Sequence, residues 1–89
     1  MIIKHSKNLK YDKIPGALLN GFERFNPRLC FLDSFTRIDD KLTLFFKNKS
    51  QTTIRAIKNE GGREVDLIEN QLIKFIGKSY EEILNIEIS

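Results

Sequence analysis

The sequence predicts an α+β fold: one small domain, residues 1–89, with an antiparallel sheet of four to five strands and two principal helices in β-α-β-β-β-α-β order. Three observations predict it. Apolar residues recur every three or four positions around residues 15–25 and again around 65–76, the period of a helix with one face on a core. Between them, from Leu29 to Lys58, the period falls to two, as in strands, with turn residues at Asp39-Asp40 and around Asn48-Lys49-Ser50-Gln51. Connections this short join antiparallel neighbours, because parallel strands need a long crossover.

Taken in order, Ile2-Ile3-Lys4 reads as a short strand, and the stretch from Lys7 to Lys13 is polar and irregular. Pro15 suits the first turn of a helix whose apolar face is Ile14, Leu18, Leu19, Phe22 and Phe25, and Asn26-Pro27 ends it. Three strands follow at about 29–38, 41–47 and 52–58, and Asn59-Glu60-Gly61-Gly62 reads as another turn. Arg63 to Leu67 alternates like a strand, yet Val65, Ile68, Leu72, Ile73 and Ile76 share one helical face, which favours a helix to about Ile76. Gly77 suits a helix terminator. Ser79-Tyr80-Glu81-Glu82 has the spacing of a capping box, in which Ser79 and Glu82 each satisfy an orphan backbone N–H. Leu84 to Ile88 alternates again and reads as a final strand at the sheet edge.

Size and composition limit what such a fold can be. A chain of 89 residues buries about 64% of its unfolded surface, enough for one modest core and no second domain. The lone Cys30 excludes a disulfide framework, and no apolar run reaches the roughly 18 to 20 residues of a membrane span. The N-terminal residues lack the apolar centre of a secretory signal, so a cytoplasmic location is expected. Usage of Ile, Phe and Lys over Val, Ala and Arg is that of an A+T-rich coding sequence, in a low-G+C bacterium or in a phage or mobile element growing in one.

Charge is unevenly distributed. Residues 1–58 hold twelve Lys/Arg and five acids, net +7, whereas residues 59–89 hold three bases and seven acids, net −4. A field is set by where charges sit, so one part of the surface is expected to be basic.

The residues that carry chemistry are scarce. His5 and Cys30 are each the only member of their type, which excludes a Cys/His zinc set within one chain, and Cys30 among Leu29, Phe31 and Leu32 reads as a small buried hydrophobe. Phosphate-cradling glycine loops and the nucleophile elbow are absent. Asp33, Asp39, Asp40 and Lys41 suit a metal-dependent nuclease only thinly, since Asp39-Asp40 falls in a turn where Asp is favoured for local reasons. The piece from Gly77 to Ile86 lacks the recognition helix of a helix-turn-helix reader, and Lys41 to Asn48 lacks the glycine and aromatic pattern of an RNA-recognition octamer. No catalysis, metal or cofactor is expected.

What remains is a surface. Strict alternation puts Cys30, Leu32, Ile38, Leu42, Leu44, Phe46, Ile54 and Ala56 on a core face. Leu29, Phe31, Phe35, Arg37, Lys41, Thr43, Phe45, Lys47, Thr53, Arg55 and Ile57 then fall on the opposite face. Phe31, Phe35 and Phe45 are candidate platforms for bases, each stack being worth about 1–3 kcal/mol. Arg37, Lys41, Lys47 and Arg55 would neutralise phosphates, with Lys49 at a hairpin tip and Lys10 or Lys13 adding charge. The expected function is a non-catalytic, nucleic-acid-binding accessory or regulatory protein that favours RNA or single strands. The same stripe also suits burial under a helix or a twin subunit, making a homodimer. The competing function is an inhibitor or adaptor of phage or plasmid type that docks on an acidic protein and occludes a bacterial enzyme.

Overall fold

Four strands, β1 (Leu9–Tyr11), β2 (Leu32–Ile38), β3 (Lys41–Phe46) and β4 (Gln51–Ala56), form one antiparallel sheet in the order β1-β4-β3-β2 in the computed structural model, which describes residues 6–12 and 27–87. A 3-10 turn at Pro27–Leu29 leads into β2. Helix α1 (Asn59–Leu72) runs on into a 3-10 turn at Ile73–Phe75, and a short helix α2 (Tyr80–Leu84) follows. The fold class is therefore α+β, as the periodicities predict, with four strands among the described residues. The strand expected at 2–4, the helix expected at 15–25, and His5, Lys13 and Ile88 lie outside the described residues.

β1 occupies a segment that reads as irregular in the sequence. It pairs Leu9 with Ala56, Lys10 with Arg55 and Tyr11 with Ile54. Three residues are too few to display a period, but Leu9 is buried and Tyr11 packs against the core. Flanking bonds extend the pairing: the Ile57 N–H donates to the Asn8 carbonyl at 2.7 Å and the Asp12 N–H to the Thr53 carbonyl at 2.9 Å. The Thr52 hydroxyl also donates to the Asp12 carbonyl.

Both hairpin turns fall where the polar clusters predict them. Asp39 (φ 52°) turns β2 into β3, and Lys49 (φ 69°) lies in the turn from β3 to β4. There the Lys49 N–H donates to the Phe46 carbonyl at 2.9 Å, while the Asn48 side-chain oxygen accepts from the Ser50 N–H at 3.0 Å and from its hydroxyl. Asn48 thus satisfies Ser50, which is buried.

α1 starts earlier than its periodicity suggests. Gly61 and Gly62 do not form a separate turn; they belong to its first turn, and Gly61 sits where the helix crosses the sheet edge. A Cβ at Gly61 would lie 2.4 Å from the Asn8 carbonyl oxygen and 2.9 Å from the Ala56 Cβ, so only glycine allows this approach. Val65, Ile68 and Leu72 then share the core with Leu9, Leu32, Leu42, Leu44, Phe46 and Ile54. The ambiguous stretch from Val65 to Leu67 is thus helical. The α-helix ends at Leu72, short of Ile76, and the chain reverses at Gly77, whose φ of +86° is the left-handed value that glycine adopts freely.

After Gly77 the chain lines the start of β2. The Gly77 N–H donates to the Leu32 carbonyl, the Leu32 N–H to the Lys78 carbonyl and the Tyr80 N–H to the Cys30 carbonyl, at 2.8, 2.8 and 2.7 Å. Ser79 caps α2 by accepting from the Glu82 N–H at 3.3 Å, one half of the expected box. The strand expected from Leu84 does not begin there: that residue closes α2, Ile86 is buried in the core, and Glu87 lies in a β-bridge. No helix among the described residues is long and apolar enough to cross a membrane.

One irregularity in β2 decides which residues share a face. Leu32 pairs with Phe46, but the next pairing is Ser34 with Phe45, so Asp33 is an extra residue on β2, a bulge. Beyond it the alternation is inverted: Phe35 lies opposite Leu44, Thr36 opposite Thr43, Arg37 opposite Leu42 and Ile38 opposite Lys41. Ile38, expected in the core, is 67% exposed.

Candidate nucleic-acid interface

α1 packs on one face of the sheet, and the face that it leaves is organised in rungs by the strand register. The first rung is Lys10, Arg55 and Lys41, side by side on β1, β4 and β3, with Ile38 beyond them on β2. The next is Thr53, Thr43 and Thr36, and the third is Gln51, Phe45 and Ser34. Past the bulge, Phe31 and Lys47 stand at the far end, joined by a bond from the Lys47 N–H to the Phe31 carbonyl at 2.9 Å. Adjacent strands are about 4.8 Å apart, so the strands bearing Lys10 and Lys41 are about 10 Å apart.

Two candidate residues do not belong to this face. The bulge at Asp33 turns Phe35 and Arg37 to the side of α1, where Phe35 packs against the core. There Arg37 reaches Asp66 at 2.8 Å and Glu69 at 3.3 Å, both on α1. Its Nε also donates to the Asp39 carbonyl. Arg37 therefore acts as a tie between β2 and α1, and the aromatic part of the open face shrinks to Phe45 and Phe31.

The remaining candidates are brought together. Lys41 and Lys47 are exposed at the two ends of β3, Lys49 is exposed in the hairpin turn beyond Lys47, and Phe45 is half-buried between them. Phe31 is 41% exposed, whereas Leu29 and Ile57, also expected on this face, lie outside the strands, in a 3-10 turn and a connector. Lys10, Lys41, Lys47 and Lys49 have no ion-pair partner among the described residues. Arg55 has one, Asp12, whose carboxylate oxygens lie 3.0 and 3.1 Å from Nη2.

Alternation carried through Asp33 misses Ser34 and Thr36, the expected turn takes in Gln51, which β4 includes, and no local pattern marks the carboxylate of Asp12. A signal for the bulge is nonetheless present. Strict alternation from Leu32 would turn Ser34 and Thr36 into the core, whereas one extra residue turns Phe35 inward and leaves both outside. As built, the face offers a row of cations at one end, hydroxyl and amide groups in the middle, and a ring with a lysine at the other.

No metal-binding cluster of three His, Cys, Asp or Glu side chains occurs among the described residues. No protein-family model, no curated protein and no solved structure matches the chain.

Proposed function

We propose that the chain is a non-catalytic nucleic-acid-binding protein and that the sheet face opposite α1 is its contact surface. The observation that carries this reading is the first rung. Like charges directly opposite in a sheet repel, and Asp12 offsets only one of the three adjacent cations, so the row keeps a surplus of positive charge that a further anion relieves. A phosphodiester backbone carries a series of such anions. Thr53, Thr43, Thr36, Gln51 and Ser34 add hydrogen-bonding groups beside it, and Phe45 and Phe31 add rings on which unpaired bases can stack, which favours RNA or another single strand over a duplex.

The test is fluorescence anisotropy with a labelled single-stranded RNA and a duplex of the same sequence, at low and near-physiological salt. Binding that persists at the higher salt with preference for the single strand is the expected result. Lys41→Glu with Lys47→Glu should weaken every sequence alike and flatten the salt dependence, as loss of phosphate contacts requires. No binding at low salt would overturn the reading and leave an acidic protein as the partner for the same cations.

A further inference from the structure

The ion pair in the middle of the cation row has an unusual form. Arg55 meets Asp12 through one nitrogen only: Nη2 faces both carboxylate oxygens, at 3.0 and 3.1 Å. A guanidinium holds an oxyanion best through two nitrogens bonding in parallel. Here the second nitrogen of such a fork, Nε, is buried with no hydrogen-bond partner among the described residues. The two neighbours of Arg55 in the row, Lys10 and Lys41, have no acidic partner among the described residues. Asp12 therefore satisfies one of three cations, and that one incompletely.

We propose that Lys10, Arg55 and Lys41 form a phosphodiester seat that Asp12 occupies in the free protein and yields when a nucleic-acid backbone arrives. This rests on the nucleic-acid reading above and adds its mechanism: Asp12 is an internal competitor that sets the affinity. The exchange is one anion for another at Arg55. A bound phosphate takes the place of the carboxylate at Nη2 and gains both lysines, while the released carboxylate passes to water. The cost of displacing Asp12 is the same for every ligand that takes the seat, and contacts at Lys47 and Phe45 offset it for a longer backbone.

The experiment compares wild type and Asp12→Asn for binding to the labelled single-stranded RNA across a salt series, with thermal melting alongside. Asn keeps the size of the side chain and the backbone bonds of position 12 to Thr52 and Thr53. The expected result is a three- to tenfold gain in affinity and a steeper salt dependence, by up to one counterion. Wild type that binds RNA while Asp12→Asn shows unchanged affinity and slope would overturn the internal competitor and leave the nucleic-acid reading intact. Wild type that binds no nucleic acid would overturn both. Should Asp12→Asn fail to fold, Lys10→Gln with Lys41→Gln carries the test: a tenfold loss with a slope lower by about 1.4 supports the seat, and an unchanged slope removes it.

Discussion

Arg37 lies directly opposite Leu42 across the β2–β3 ladder and from there holds the Asp66 carboxylate at 2.8 Å, so a cation of the strand belongs to the helix side of the molecule. The pair with Glu69, at 3.3 Å, makes the tie double. Asp66 is largely in water, which limits the tie to about 1 kcal/mol. Arg37→Ala should lower stability to urea by that amount, with a smaller loss at high salt, and leave RNA affinity unchanged. A fall in affinity with no fall in stability would return Arg37 to the open face.

The same bulge orders two phenylalanines. Phe35 packs against the core and Phe31 is 41% exposed. Phe35→Ala should therefore be the costlier change, by about 2 kcal/mol, a part of the 3–5 kcal/mol of a fully buried ring. Urea midpoints of the two variants decide it, and the opposite order would place the inversion elsewhere in β2.

That inversion marks where the sequence stops being legible. The periodicities of β3 and β4 are intact, and Leu42, Leu44, Phe46 and Ile54 take the core positions that alternation assigns. β2 contains one residue more than its partner, and a parity argument carried through Asp33 exchanges every later side chain between faces. β1 was hidden for another reason: its three residues owe their conformation to pairing with β4, not to any local pattern. Gly61-Gly62 reads as a turn because glycine is costly in a helix, whereas here the cost is offset by the close approach of α1 to Asn8 and Ala56. In the candidate face, the cations of β3 and β4 were legible from alternation. Asp12 was not, because its position beside Arg55 depends on the pairing of β1.

The two glycines of α1 give a matched prediction. Gly61→Ala forces a Cβ to 2.4 Å from the backbone oxygen of Asn8, which cannot yield without moving β1, and should cost about 1–3 kcal/mol. Gly62 has nothing within 4 Å of the same atom, so Gly62→Ala should stabilise by about 0.5–1 kcal/mol through helix propensity. Thermal melts of the pair should shift in opposite directions. A shared direction would mean that α1 does not approach β1 as described.

Lys49 holds a left-handed conformation, φ 69°, that costs a residue with a Cβ about 1–2 kcal/mol. Lys49→Gly removes that strain, less the entropy that glycine loses on folding, and should raise stability by up to about 1 kcal/mol in urea denaturation. Because Lys49 is also an exposed cation beyond Lys47, the same variant should bind RNA slightly less well. Lost stability would show that the turn does not need the left-handed residue.

Tyr80 links the core to alkaline pH. Its ring packs edge-on against Phe46 at 5.3 Å, and burial pushes its pKa from 10.0 up to about 12, opposed by a hydrogen bond with Thr52. The folded state thus keeps a proton that the unfolded chain releases near pH 10, so the stabilisation is complete below pH 10 and is lost as pH rises from about 10 to about 12. A shift of this size corresponds to about 2–3 kcal/mol across that window. Tyr80→Phe cannot ionise, so it should lose about 1 kcal/mol at neutral pH with the Thr52 bond but decline less steeply above pH 10. Urea unfolding of both proteins at steps from pH 8 to 12 measures the difference, and parallel curves would show that Tyr80 does not control the alkaline limb.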